Sequence, residues 1–136
     1  MFAAIDLRTG TPRWTLPVAS FTTPWAAGDV VYIVSQTGQL VCASRDSGGV
    51  YWIVDLNAPV GKNAKGAKGT AYWFGPVLAG NRLILTSSKG DIVARDAKTG
   101  DFISVIHTGA PMMQSPMAAG GLLYVVNERA ELVAIR

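Results

Sequence analysis

An eighteen-residue unit occurs three times in the chain: AAGDVVYIVSQTGQLVCA at 26–43, LAGNRLILTSSKGDIVAR at 78–95 and AAGGLLYVVNERAELVAI at 118–135. A chain built from copies of one unit must bury each copy against its neighbours, so this feature restricts the fold more than any other. Each copy opens on a Gly step (Gly28-Asp29, Gly80-Asn81, Gly120-Gly121), runs apolar, turns and runs apolar again. That order reads as a β-hairpin. Pro24, Pro76 and Pro116 mark the strand leading into each hairpin, at intervals of 52 and 40 residues. A period of about 40 residues is that of one four-stranded propeller blade.

The strand map follows from these marks. Residues 2–16 end a blade, 20–56 form a blade, 72–107 form a second, and 113–136 form an incomplete last one. Trp52 to Pro76 spans 24 residues where Trp14 to Pro24 spans only 10, which makes 57–71 an inserted loop. Helix is not supported, because the apolar runs are short, rich in Val, Ile, Leu and Tyr, and broken by Gly. The run VVYIV at 30–34 does not alternate polar with apolar, as a sheet covered on both faces requires. The expected fold is all-β: a partial β-propeller of four-stranded antiparallel blades, each sandwiched between two others.

The stretch AIDLRTGTPRW at 4–14 gives the chemistry of the joints. Small Ala4 leaves room over its strand, Asp6 can accept N–H groups of the following turn, with Thr9 beside it, and Gly10 supplies positive φ. Trp14 then lies on the outer strand, where its ring can cover a small residue of the adjoining blade and its N–H can reach a carbonyl. A second copy keeps Cys42, Gly48 and Trp52 but has Ser44 and Ser47 in the Asp and Thr places. The third keeps Ala94, Asp96, Thr99 and Gly100 but has Ser104 where Trp is expected, which should loosen that joint. Trp25, Tyr72, Trp73 and Phe74 flank the entering strands and are expected in interblade cores.

The pattern AxDxxTGxxxW resembles the tryptophan-docking motif of the PQQ-like eight-bladed propellers, and residues 4–14 match it at all five positions. Within that superfamily, TPWAAGDVVYIVSQTGQLVC, GPVLAGNRLILTSSKG and the terminal ELVAIR resemble the C-terminal part of the BamB family of outer-membrane assembly lipoproteins. The resemblance implies a non-enzymatic scaffold at the periplasmic face of the outer membrane. It also implies a protein partner, the main subunit of the β-barrel assembly machinery, reached through that subunit's soluble domains. The family's lipidated Cys, its signal peptide and its earlier blades lie outside this chain, so membrane attachment is expected only through a lipid anchor that the chain does not carry.

Other chemistries find little support in the residues. The chain has 12 Lys plus Arg against 9 Asp plus Glu, a net charge of +3, which is mild for a nucleic-acid binder. No apolar run reaches the length of a transmembrane helix. Cys42 is the only cysteine and reads as a small buried hydrophobe; His107 is the only histidine and reads as a surface residue without a paired carboxylate. Asp6, Asp29, Asp91 and Asp96 fall at turn positions, where carboxylates are structural. No catalytic, cofactor-binding or metal-binding residue is assigned, and no cofactor is expected. GKNAKGAKGT at 61–70 fails the phosphate-loop spacing because Ala67 follows Gly66. Its Lys62, Lys65 and Lys68 meet no acidic residue between 56 and 90, making this loop the local interaction candidate. Two other readings are a fragment of a PQQ-dependent quinoprotein dehydrogenase and an envelope polysaccharide-binding propeller. A partial ring exposes apolar blade faces, so the isolated chain is expected to self-associate.

Overall fold

The computed structural model describes residues 1–20, 22–58 and 71–129, and the backbone of 132–135. It contains thirteen strands and, among the described residues, no helix. They form four antiparallel meanders in chain order. The first sheet is β1 (Phe2–Ile5) with β2 (Pro12–Leu16). The second runs β3 (Trp25–Ala27), β4 (Val30–Val34), β5 (Gln39–Ser44), β6 (Val50–Asp55). The third runs β7 (Trp73–Ala79), β8 (Arg82–Ser87), β9 (Asp91–Asp96), β10 (Phe102–His107), and the last β11 (Met117–Ala119), β12 (Leu122–Val126), β13 (Leu132–Ile135).

Each hairpin repeat becomes the central strand pair of its sheet, and adjacent residues of one strand face different neighbours. Val31 and Ile33 on β4 pack with Phe2, Trp14 and Leu16 of the first sheet. Tyr32 and Val34, which alternate with them in sequence, pack with Trp73, Leu83 and Leu85 of the third. The third sheet in turn meets the last through Ile84, Ile92, Met112, Leu123 and Val125. This two-sided covering is why the apolar runs are continuous rather than alternating, and it makes the chain a partial β-propeller.

A β-bulge recurs in the outermost strand pair of three sheets. The register shifts between Ala4 and Ile5 against Trp14 and Pro12, and between Cys42 and Ala43 against Trp52 and Val50. The same shift lies between Phe102 and Ser104 against Arg95 and Ala94. The extra residue is Arg13, Tyr51 or Ile103, immediately before the docking position. A bulge inverts the alternation of side chains beyond it, and here it sets which face the next residue occupies.

Candidate functional site

The joints between sheets are the most highly organised feature of the structure. Trp14 donates its indole N–H to the Arg45 carbonyl at 2.8 Å, and Trp52 donates to the Lys98 carbonyl at 2.8 Å. Each acceptor lies in the turn after the third strand of the following sheet. The rings come down on the glycines of those turns: a Cβ built on Gly48 would sit 2.7 Å from Trp14 Cδ2, and one on Gly100 would sit 2.8 Å from Trp52 Cζ3. Gly48 and Gly100 have φ of +75° and +79°, so these positions need glycine both for backbone conformation and for the close approach of an aromatic ring.

Here the structure departs from the expected role of the small residues. Ala4, Cys42 and Ala94 are not the surfaces covered from the adjoining blade. They stand opposite the docking position within their own sheet, in the pairs Ala4↔Trp14, Cys42↔Trp52 and Ala94↔Ser104. Cys42 also stands opposite Tyr32, and with this small residue between them the Tyr32 and Trp52 rings approach to 6.2 Å, tilted by 43°. Tyr32 adds a second latch by donating its hydroxyl to the Ala97 carbonyl of the third sheet at 2.8 Å.

The turn acids hold the platform. Asp6 Oδ1 accepts the N–H of Arg8 at 2.8 Å and of Thr9 at 3.3 Å. Asp96 Oδ1 accepts those of Lys98 at 2.8 Å and Thr99 at 3.1 Å, and these backbone bonds, Lys98 first, hold its carboxyl below the ordinary value of 3.8. Ser44 does the same with its hydroxyl, accepting Ser47 N–H at 3.3 Å. In all three turns the glycine N–H closes back onto the carbonyl of the acid or its substitute: Gly10 to Asp6, Gly48 to Ser44 and Gly100 to Asp96. Thr9 Oγ1 lies 2.7 Å from Thr11 Oγ1, and Thr99 Oγ1 accepts Asp101 N–H at 3.2 Å.

Two elements of the joints carry no motif signature. Arg95 is buried and faces the second sheet, at the position Ala43 occupies one unit earlier. Its Nη1 donates to the Gly100 carbonyl at 2.9 Å, and its guanidinium carbon lies 6.0 Å from the centre of the Phe102 ring. Burial pulls this guanidinium below its ordinary value against the opposing pull of Asp101 and Asp55. Asn57 clasps the base of the inserted segment: its Oδ1 accepts Ala71 N–H at 3.1 Å and Trp73 indole N–H at 2.9 Å, and its Nδ2 donates to the Ala71 carbonyl at 3.4 Å. The periodic pattern shows neither residue: Arg95 stands where the preceding unit has Ala43, and Asn57 acts on groups 14 and 16 residues away.

Cys42 is buried, and burial pushes its thiol pKa up, which suits a packing residue. His107 does have a carboxylate partner, Asp91 across the β9–β10 ladder at 2.6 Å; the pair is on the surface, with His107 74% exposed. Among the aromatics expected in interblade cores, Trp73 is buried, but Tyr72 is 56% exposed and Trp25 36% exposed. Both lie at the start of a sheet-entering segment. Lys62, Lys65 and Lys68 lie outside the described residues. Among the described residues, no three His, Cys, Asp or Glu side chains converge as a metal site would require.

Sheets latched in series by indoles on glycine turns define a class, the β-propellers of the tryptophan-docked, PQQ-like kind. Comparison with known proteins narrows this. A family model described as Outer membrane protein assembly factor BamB matches residues 1–54 and 46–136, and the chain belongs to that family. The outer membrane protein assembly factor BamB of Alkalilimnicola ehrlichii is 31% identical over 135 residues, 98% of this chain and 32% of the relative. The chain thus spans about a third of that protein's length. BamB from Moraxella catarrhalis superposes with a TM-score of 0.72 at 20% identity, over 98% of this chain and 39% of that one. Quinohemoprotein alcohol dehydrogenase from Comamonas testosteroni superposes with a TM-score of 0.74 at 18% identity, over 92% and 26%. The structural likenesses speak for the shared fold.

Proposed function

We propose that the chain is a non-enzymatic interaction segment of a BamB-type propeller, acting at the periplasmic face of the outer membrane. Its partner would be the main subunit of the β-barrel assembly machinery. The supporting observation is the family match, which runs through every sheet of the chain. The fold suits recognition rather than turnover, because the residues of the repeat motif are consumed in holding sheets to one another. The outer strands β6 and β10 present Tyr51, Ile53, Ile103 and Ile106 to solvent. Such strands can bind a β-rich partner by edge addition with apolar side chains seated alongside.

The experiment is a titration of the folded chain against the soluble periplasmic domains of the assembly machinery's main subunit, with PQQ plus calcium as the parallel arm. Saturable binding to those domains supports the scaffold. Saturable binding of PQQ with no protein binding would overturn it in favour of a quinoprotein fragment. Binding to neither, but to envelope polysaccharide, would likewise overturn it.

Self-association belongs to the same reading. Ile5 on β1 is 56% and Leu7 in the turn after it 99% exposed, and the free edge of β1 has no partner strand among the described residues. Exposed apolar surface beside an unpaired strand edge favours pairing with another copy. Light scattering across a concentration series should show a mass rising above 14.4 kDa, and a constant monomer would count against it.

A further inference from the structure

The joint between the third and last sheets differs from the one before it. At the preceding joint Tyr32, Trp52 and Leu78 pack into one cluster between the two sheets. One unit later the same three places are held by Ile84, Ser104 and Ala118, all smaller. The three reductions converge on one spot. A cavity of about 510 Å³ opens there, lined by these three residues together with Ala94, Ile106 and Leu123. Buried packing continues beside the cavity, where Ile84, Ile92, Met112, Leu123 and Val125 meet. The preceding joint therefore acts as an internal template: the space left open corresponds to one that an indole fills elsewhere in the same chain.

Arg82 also lines the cavity, and among the described residues no acidic side chain does. Asp96 stands opposite Arg82 across the β8–β9 ladder, but its Oδ1 is engaged by the Lys98 and Thr99 N–H groups of its own turn. An apolar space of this size with a cation in its lining suits a planar ring that carries a negative charge.

We propose that this cavity binds a small aromatic carboxylate, its ring taking the place of the missing indole and its carboxylate meeting the Arg82 guanidinium. The probe is indole-3-acetate, followed by ligand-observed NMR on the full chain, with indole and acetate as partial ligands. Indole-3-acetate should bind with a dissociation constant of about 1 mM or tighter, the level general for a ligand of this size. Indole alone should bind about tenfold more weakly, for want of the charge-assisted contact, and acetate not at all. Arg82→Gln should remove the advantage of indole-3-acetate over indole. Ser104→Trp should abolish binding of both by filling the space; if that variant misfolds by circular dichroism, Ala118→Leu serves as the second filling variant. Absence of binding up to about 5 mM would overturn the proposal. So would binding that survives a folded filling variant. Binding of a peptide ending in Trp, with none of the free acid, would also overturn it, in favour of a protein ligand.

Discussion

Replacing Trp52 with alanine tests whether indoles carry the joints. Its ring is half-buried against Gly100 and Tyr32, and its N–H reaches Lys98. A fully buried aromatic side chain covers roughly 200 Å², so half-burial at ~25 cal/mol/Å² stabilises by about 2.5 kcal/mol. The hydrogen bond adds about 1 kcal/mol, so Trp52→Ala should cost about 3.5 kcal/mol. For a chain of this length that lowers Tm by about 10 °C, read by scanning calorimetry. The sharper test is the cycle with Gly100→Ala. In the wild type the added methyl meets both a positive φ, which costs about 1–2 kcal/mol, and the indole ring. In the Trp52→Ala background the collision with the ring is gone, although Val54 Cγ2 remains 2.8 Å from the new Cβ position. The two changes should therefore be non-additive by about 1 kcal/mol or more, Gly100→Ala costing less in the double variant. Equal cost in both backgrounds would refute the seating of the ring on the glycine.

Other outcomes follow from the same geometry. Asp96 has its pKa depressed in the folded chain, so its contribution is present above 3.8 and is lost as pH falls through the lower folded value; Asp96→Asn should flatten that acid limb in urea melts taken from pH 5 to pH 2. Cys42 should resist a thiol reagent at neutral pH in the native chain and react fully in denaturant, since its thiol is buried and its pKa raised. Asn57→Ala should speed hydrogen exchange at the Ala71 amide and cost about 2 kcal/mol, because Ala71 N–H and the Trp73 indole N–H lose their acceptor together.

What the sequence by itself determined is the order of strands and the identity of the latches. Hairpins at 26–43, 78–95 and 118–135 are local, and a period-two backbone with apolar residues on both faces has few ways to be satisfied. The Asp–Gly turn is equally local, since Asp96 reaches only two and three residues ahead. The tertiary structure alone decided what those latches touch. Nothing in AIDLRTGTPRW states that Trp14 will close on Gly48, because that contact joins a strand of one sheet to a turn of the next. The bulge at Arg13, Tyr51 and Ile103 likewise depends on cross-strand register, which puts the small residue opposite the docking position of its own sheet. Asn57 acts on groups brought near by folding, and at the cavity beside Ser104 three separate reductions in side-chain size meet at one joint. Local hydrogen bonding and periodicity are written along the chain; close packing is a property of surfaces that the chain assembles from distant parts.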